Sequence, residues 1–291
     1  MRAGLALVLF LLAAACIPAA TPAPGDRLQE GLAALAEDFD GVAGIHALRL
    51  DTGEEVAVRA DEIFPTASMI KVPLLVALLD RVDSGVLALD TALAWHDSLA
   101  YPGNDIMAKL REGETVSLER LAFLMTSWSD NTASLWIQAL VGGGAYVNEV
   151  MERLGLEHTR VNSRTPGRQP GWERYGWGQT TPREMSQLMA GIHRGEVVSE
   201  EASGTMYGML AAPFYRAEAL APIPPTVQVA TKPGAVSASR SETLVVNAPA
   251  GPYVLTIITR DQADTSWEDD NEGWQLIREA GRHVWQAWGE R

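Results

Sequence analysis

Cysteine and histidine are scarce in this chain of 291 residues. It contains one cysteine, Cys16, and five histidines, at positions 46, 96, 158, 193 and 283. A single cysteine excludes an intramolecular disulfide, so the stability of the fold has to come from packing. The histidines show no spacing typical of metal ligands, and no second cysteine can assist them. We therefore expect neither a metal site nor any other cofactor.

Basic residues are also few. The chain has 23 lysine and arginine residues against 37 aspartate and glutamate residues, which gives a formal net charge of −14. No stretch of the sequence concentrates the basic side chains. Phosphate binding requires clustered lysine and arginine, so the composition excludes a nucleic-acid partner. The acidity fits a protein that stays soluble outside the cytoplasm.

Long apolar runs are limited to residues 5–15, directly after Arg2. This run is too short to span a bilayer comfortably and is followed by small residues, which predicts a secretory signal peptide over residues 1–20. Residues 12–15 together with Cys16 resemble the lipobox of bacterial lipoproteins, and the alternative is ordinary cleavage near Ala20. We expect an exported protein of the periplasm or cell envelope, with membrane contact only through a lipid on Cys16.

The remaining sequence predicts one folded domain. Residues 21–25 resemble a short, stiff linker, and residues 26–291 form the domain, which we expect to be a monomer. A first helix precedes a strand hairpin at residues 41–59, and residues 68–82 predict a helix that is apolar almost all round. Helical patterns fill residues 86–210 apart from a long loop without periodicity between residues 162 and 179, and residues 181–184 predict the start of a helix. Strands at 226–231, 242–247 and 253–260 precede a last helix at 269–288. The predicted fold class is α+β: an antiparallel sheet flanked by the terminal helices, joined to an all-helical subdomain, with the site between them.

The start of the buried helix carries a Ser-x-x-Lys pattern. Ser68 and Lys71 are three residues apart, so on a helix the hydroxyl and the amine are neighbours. A serine hydroxyl is a poor nucleophile until a base takes its proton, and a partly desolvated lysine can do so. Alone the pattern is weak, because a capped helix with a solvated lysine has the same sequence.

Two further motifs follow in order. The first is Ser129-Asp130-Asn131 between two predicted helices, and the second is Lys232 with Gly234 on a strand that ends in small residues. Each has a structural alternative, namely a helix N-cap for the first and a strand-end turn for the second. Together with Ser-x-x-Lys, they match the order, spacing and element types of the three-part signature of serine β-lactamases and penicillin-binding proteins.

Over nearly the whole mature chain, the sequence resembles class A β-lactamases most widely. The resemblance covers residues 64–72, 80–85, 89–90 and 180–182. It implies that Ser68 is the nucleophile and Lys71 its neighbouring base, that Ser129 relays a proton to the leaving nitrogen, and that Lys232 attracts the substrate carboxylate. It further implies substrate contacts through Tyr101 at the mouth of the site, Asn131, Gly234 and Ala235, with an oxyanion hole from the backbone N–H groups of Ser68 and Ala235.

Two departures from the family pattern bear on function. The family's omega loop carries a Glu-x-x-x-Asn pattern that positions the deacylating water, whereas residues 163–173 here offer one acid, Glu173. Glu173 is either a displaced general base or a solvated loop carboxylate. In addition, Pro233 replaces the hydroxyl residue that follows the lysine, which leaves Ser237, Ser239 and Arg240 as candidates to bind the substrate carboxylate.

These features leave three functions open. The first is a β-lactam-hydrolysing enzyme whose deacylation is slow, because losing a general base costs about 10²–10⁴ in rate. The second is a penicillin-binding or cell-wall peptide-cleaving enzyme that acts on a D-alanyl-D-alanine-like amide. The third is a lipid-tethered binding protein that is acylated and does not turn over. Among the tryptophans, Trp274, Trp285 and Trp288 predict core anchors of the last helix, and Trp172 and Trp177 are candidates to line a cleft.

Overall fold

The computed structural model describes residues 24–103, 105–216 and 218–290. The predicted signal peptide over residues 1–20, with Cys16, lies outside the described residues. The helices are α1 (Pro24–Asp38), α2 (Lys71–Asp83), α3 (Leu118–Phe123), α4 (Asn131–Val141), α5 (Gly143–Arg153), α6 (Gln169–Tyr175), α7 (Pro182–Arg194), α8 (Glu200–Leu210) and α9 (Glu272–Trp288). The strands are β1 (Val42–Arg49), β2 (Glu55–Val58), β3 (Phe64–Pro65), β4 (Ala92–Ala94), β5 (Thr115–Ser117), β6 (Arg160–Val161), β7 (Gly178–Thr180), β8 (Val229–Val236), β9 (Ser239–Val246) and β10 (Tyr253–Arg260).

A five-stranded antiparallel sheet in the order β2-β1-β10-β9-β8 divides two hydrophobic cores. Successive side chains of a strand point to opposite faces, so neighbours in sequence enter different cores. On β10, Leu255 and Ile257 pack with α1 and α9, whereas Val254 and Ile258 pack with the helical part of the molecule. This arrangement confirms the predicted α+β class, with terminal helices on one face of the sheet and a helical subdomain on the other.

Helix α2 lies in the middle of the molecule. Each of its residues from Lys71 to Leu79 is buried, as the apolar composition predicts. The element differs from the prediction at its start, because residues 67–70 form a 3-10 turn that precedes the α-helix. Ala67 in this turn has a positive φ of 44°, a conformation that a regular helix does not contain.

Other boundaries also differ from the prediction. Helix α1 begins at Pro24, so Pro24 and Gly25 belong to the first helix and not to a linker. The predicted loop at residues 162–179 contains α6 and the start of β7. The predicted start of α7 is correct: Thr181 caps the helix by accepting a hydrogen bond from Glu184 N, and Pro182 occupies its first turn.

None of the described helices is both long and apolar enough to cross a membrane.

Candidate active site

Ser68 lies in the 3-10 turn, where two clefts meet. One cleft of about 590 Å³, here called the loop-side cleft, is lined by Ser68, Tyr101, Asn131, Ala235 and residues 174–177. The other, of about 530 Å³ and here called the aromatic cleft, is lined by Ser68, Ser129, Gly234, Ala235 and four aromatic side chains. The serine is partly exposed, so its hydroxyl is accessible from both sides.

Lys71 lies at the centre of a hydrogen-bond cluster. Its Nζ is 3.1 Å from Ser68 Oγ, 2.9 Å from Ser129 Oγ, 2.6 Å from Ser129 O and 2.8 Å from Asn131 Oδ1. The side chain has no exposed surface. Burial holds the pKa of Lys71 well below its usual range, and the nearby charge of Lys232 lowers that pKa further. A neutral amine in this position can accept a proton from the Ser68 hydroxyl.

Ser129 follows a π-helical turn at residues 124–128 and adopts a left-handed conformation, with φ of 65°. Such turns and such strained non-glycine residues are concentrated at functional sites. The next residue, Asp130, caps α4 by accepting a hydrogen bond from Ala133 N at 2.8 Å, and it also accepts one from Met107 N at 3.0 Å. The cap therefore belongs to Asp130, while Ser129 and Asn131 on either side of it reach Lys71.

Strand β8 brings Lys232, Gly234 and Ala235 to the site. β8 is the edge strand of the sheet, which explains why Pro233 is tolerated within it. A Cβ on Gly234 would lie 2.7 Å from Thr66 O and 2.8 Å from Ser68 N, so the close approach of β8 to Ser68 requires glycine here. Lys232 is fully buried and donates to Pro233 O at 3.0 Å, and its burial lowers its pKa to about 7.

Three sequence-predicted site residues are placed elsewhere. The guanidinium of Arg240 is buried and donates to the carbonyl oxygens of Val236, Ser239 and Ser266. Ser237 lies in the exposed turn between β8 and β9. Neither residue lines either cleft, whereas Ser239, the third candidate for the substrate carboxylate, lines the loop-side cleft.

Glu173 is the third of these residues. It is exposed on α6, and its carboxylate accepts a hydrogen bond from Gln169 Nε2 at 3.0 Å. It does not line either cleft, which agrees with a solvated loop carboxylate and not with a displaced base. The loop is instead held by Arg168, whose Nη2 donates to Asn162 at 2.8 Å and to Gln179 at 2.7 Å.

Other side chains at the site lie outside the three motifs; two of them, Trp177 and Ser239, are candidates from the sequence, and the rest are found only in the structure. Trp177 lies over Lys71, with 5.8 Å between Nζ and the ring centroid, and packs edge-to-face on Tyr101 at 5.5 Å. Buried Ser239 lines the loop-side cleft with a hydroxyl that has no hydrogen-bond partner. The aromatic cleft is walled by side chains from separate parts of the chain: Trp128, Tyr215, Trp267 and Trp274. The sequence predicts Trp177 as a cleft-lining residue and Trp274 as a core anchor. Trp274 is half-buried, and it lines the aromatic cleft in addition to packing on the core.

Among the described residues, no group of three or more histidine, cysteine, aspartate or glutamate side chains is arranged to hold a metal ion.

Comparison with known proteins agrees with this geometry. A profile described as the beta-lactamase enzyme family matches residues 27–288. A β-lactamase of Rhodobacter capsulatus is 28% identical over 270 residues, covering 90% of this chain and 88% of the relative.

Solved structures also show similarity to β-lactamases. An ancestral class A β-lactamase aligns with a TM-score of 0.78 and 26% identity, covering 89% of this chain and 99% of that one. A mutant of PBP-A, solved as an acyl-enzyme complex with penicillin G, aligns with a TM-score of 0.79 and 28% identity over 90% of each chain or more. The profile match extends across almost the whole described chain, and the chain therefore belongs to the beta-lactamase enzyme family, with class A enzymes among its relatives.

Proposed function

We propose that this protein is a serine hydrolase that opens the β-lactam amide through an acyl-enzyme on Ser68, and that it releases the acyl group slowly. The observation that carries the proposal is the position of Lys71. Its buried Nζ, with a lowered pKa, lies within hydrogen-bond distance of both Ser68 Oγ and Ser129 Oγ. A base that contacts the nucleophile and a second hydroxyl can serve both proton transfers of an acyl transfer.

Acylation then proceeds as follows. Ser68 Oγ forms a bond to the carbonyl carbon of the lactam, and its proton moves to Lys71 Nζ. The backbone N–H groups of Ser68 and Ala235 stabilise the oxyanion, each worth roughly 10²–10³ in rate. The carbon–nitrogen bond breaks, and the nitrogen receives the proton from Lys71 through the hydroxyl of Ser129. Asn131, whose Oδ1 is held by Lys71, offers its Nδ2 to the acyl side chain of the substrate.

Slow deacylation is supported by the two acids close to Lys71, because both are engaged in hydrogen bonds to the backbone. Two acids raise its pKa from nearby, Asp105 and Asp130. Both carboxylates accept backbone N–H bonds, Asp105 from Thr132 N at 2.7 Å and Asp130 from Ala133 N at 2.8 Å. These acids serve structural roles, and the indole of Trp177 occupies the space above the amine. We infer that Asp105 and Asp130, the acids that act on Lys71 in the described part of the chain, are held by these hydrogen bonds and do not activate the hydrolytic water.

The test is a stopped-flow and steady-state assay with a chromogenic cephalosporin, with Ser68→Ala as the control. We expect a burst of about one equivalent per enzyme, followed by slow turnover, and a mass increase on the wild type that the control lacks. A fast linear steady state would refute slow deacylation, and Glu173→Gln would then be the first variant to measure. The absence of any covalent adduct would refute the serine mechanism.

A second candidate function is a penicillin-binding, D-alanyl-D-alanine peptidase-like activity. The similarity to PBP-A, whose mutant was solved as an acyl-enzyme complex with penicillin G, favours this activity. The hydrogen bonds that hold Asp105 and Asp130 near Lys71 favour it as well, because they support slow deacylation of a β-lactam. The assay is release of D-alanine from a short peptide that ends in D-alanyl-D-alanine, with the Ser68→Ala control. Release dependent on Ser68 would make the peptidase the principal activity. A stable adduct without release from either substrate would indicate the non-turnover binding protein.

We further propose that the protein is exported, on the basis of the signal-peptide pattern in residues 1–20 and the lipobox-like residues before Cys16. Labelling of cells with radioactive palmitate distinguishes the two forms of export. Incorporation that is lost in Cys16→Ser would identify a lipoprotein. Secretion of an unlabelled protein would indicate cleavage near Ala20.

A further inference from the structure

We propose that the aromatic cleft binds an uncharged aromatic group on the leaving-group half of the substrate, and that it selects against a carboxylate there. This inference rests on the proposed acylation of Ser68 and specifies the substrate class of the same site. The cleft is continuous with the reacting atoms, because Ser68, Ser129 and Ala235 all line it. Since Ser129 faces it, the substrate group attached to the departing nitrogen occupies this side.

The walls of the cleft are aromatic. Trp128, Tyr215, Trp267 and Trp274 line it, and Trp267 and Tyr215 are 63% and 48% exposed. Trp128 and Tyr215 belong to a cluster of tilted and edge-to-face rings in which Phe214 lies 4.1 Å from Trp128 and 5.1 Å from Tyr215, measured between ring centroids. Exposed aromatic side chains around a concave surface are typical of sites that bind apolar or planar ligands.

The two cationic side chains that could bind a substrate carboxylate, those of Lys232 and Arg240, do not line the aromatic cleft. Lys232 has no exposed surface and donates to Pro233 O, and neither its side chain nor that of Arg240 lines the cleft. Arg240 lies behind the walls, with its guanidinium 4.6 Å from the Trp267 ring and 4.8 Å from the Trp274 ring. Pro233, which does line the cleft, has neither a hydroxyl nor a backbone N–H to donate.

Besides the phenol of Tyr215, the ionisable groups that line the cleft are two carboxylic acids. They are Asp105, hydrogen-bonded to Thr132, and Glu218, paired with Arg278 at 2.9 Å. An incoming carboxylate would meet these acids without a cation to compensate its desolvation. A ligand cation is also not favoured, because Arg240 already contacts two of the rings and both acids have partners. An uncharged ring that stacks on the indoles is not repelled by the two acids and does not compete with Arg240.

Three forms of one cephalosporin test the inference: the free acid, its methyl ester and its benzyl ester. The methyl ester removes the charge, and the benzyl ester removes it and adds a ring. We expect the second-order rate constant for acylation of Ser68 to increase in that order, with the benzyl ester roughly tenfold faster than the methyl ester. A choline ester, which adds a quaternary ammonium group, is expected to react more slowly than the benzyl ester.

Variants locate the effect in the cleft. Trp267→Ala and Tyr215→Ala remove exposed rings, so both should fold, and each is expected to bring the benzyl-to-methyl ratio towards one. Phe123→Ala, an exposed ring on α3 away from the site, is the matched control and should keep the ratio. The inference alone is overturned if the free acid or the choline ester reacts fastest, or if neither variant changes the ratio. If none of the compounds acylates Ser68, the proposed function fails and the inference fails with it.

Discussion

At the scale of single residues, the lysines show how function departs from ordinary folding rules. The chain has three lysines, and two of them, Lys71 and Lys232, are completely buried in the candidate site around Ser68. Burial of an ammonium group is costly unless it loses its proton, and the pKa values of both side chains are lowered accordingly. The third, Lys109, is exposed. Two such groups within one site indicate chemistry and not stability.

Lys71→Ala should slow acylation by a β-lactam by about 10²–10⁴, because the base beside Ser68 is removed. In the wild type, acylation should fall as the pH is lowered through the reduced pKa of Lys71, since the protonated amine cannot accept the serine proton. Intact-protein mass spectrometry after timed quenching, over a range of pH, measures both effects. Lys109→Ala is the control, and unchanged acylation in Lys71→Ala would remove the proposed role.

Gly234→Ala should reduce acylation by at least about 10², because its Cβ would contact Thr66 O and Ser68 N and displace β8 from the nucleophile. The comparison is Gly208→Ala on α8, where a Cβ meets nothing within 4 Å. That variant should retain activity and gain up to about 1 kcal/mol of stability from the better helix propensity of alanine. Equal acylation by the two variants would show that the close approach of β8 is not required.

At the scale of elements, the strand next to the edge strand β8 holds an unusual buried carboxyl. Glu242 on β9 is fully buried, and its oxygens accept hydrogen bonds from Ala219 N at 2.9 Å and Thr231 Oγ1 at 2.8 Å. Burial raises its pKa to about 7. The same strand pair carries Lys232, so the ionisation of Glu242 affects both the stability of β8–β9 and the electrostatics of the site.

The free energy of unfolding should therefore depend on pH through Glu242. Its folded-state pKa of about 7 exceeds the ordinary value of 4.5, so the folded state retains the proton longer. The stabilising contribution of Glu242 to the free energy of unfolding is fully present below about pH 4.5 and is lost as the pH rises through 7. At about 1.4 kcal/mol per pKa unit, the loss amounts to up to about 3 kcal/mol. Urea denaturation between pH 4.5 and 8 should show this decline in the wild type and a flatter profile in Glu242→Gln. The exposed Glu119→Gln should leave the wild-type profile unchanged, and a decline of equal size in Glu242→Gln would contradict the assignment.

Boundaries of elements were predictable where local chemistry fixes them. The start of α7 follows from Thr181, Pro182 and Glu184, because a cap and a proline at the first turn act within a few residues. The 3-10 turn before α2 was not predictable, since apolar periodicity does not report the positive φ of Ala67. The same limit applies to the left-handed conformation of Ser129, which depends on how the turn packs against Lys71.

At the scale of the whole molecule, the sheet couples the two hydrophobic cores. β10 supplies Ile257 to the core under α1 and α9 and Ile258 to the core of the helical subdomain. Because adjacent residues of one strand stabilise both cores, loss of either should destabilise the other.

Ile257→Ala should lower the free energy of unfolding by about 2–5 kcal/mol, because it leaves a cavity in the core under α1 and α9, across the sheet from α2. It should do so in one cooperative transition, with tryptophan fluorescence and loss of Ser68 acylation sharing the same denaturant midpoint. Val86→Ala, at a position that is 60% exposed, is the matched control and should change little. Two separate midpoints would show that the subdomains unfold independently.

The sequence by itself determined the fold class, the order of the main helices and of the strands in the large sheet, and the short motifs that meet at Ser68. It did not indicate the short strands β4, β5, β6 and β7 within residues 86–210. Ser68, Lys71, Ser129 and Asn131 lie in short motifs whose spacing depends on local geometry, and the structure brings them to within hydrogen-bond distance of one another. Only the tertiary structure decided where distant side chains lie. Arg240 turns behind Trp267 and Trp274, Glu173 stays in solvent, and Tyr215 joins the aromatic cleft. The reason is physical: a motif fixes contacts over a few residues, whereas the direction and burial of a side chain depend on packing between parts of the chain that the sequence separates widely.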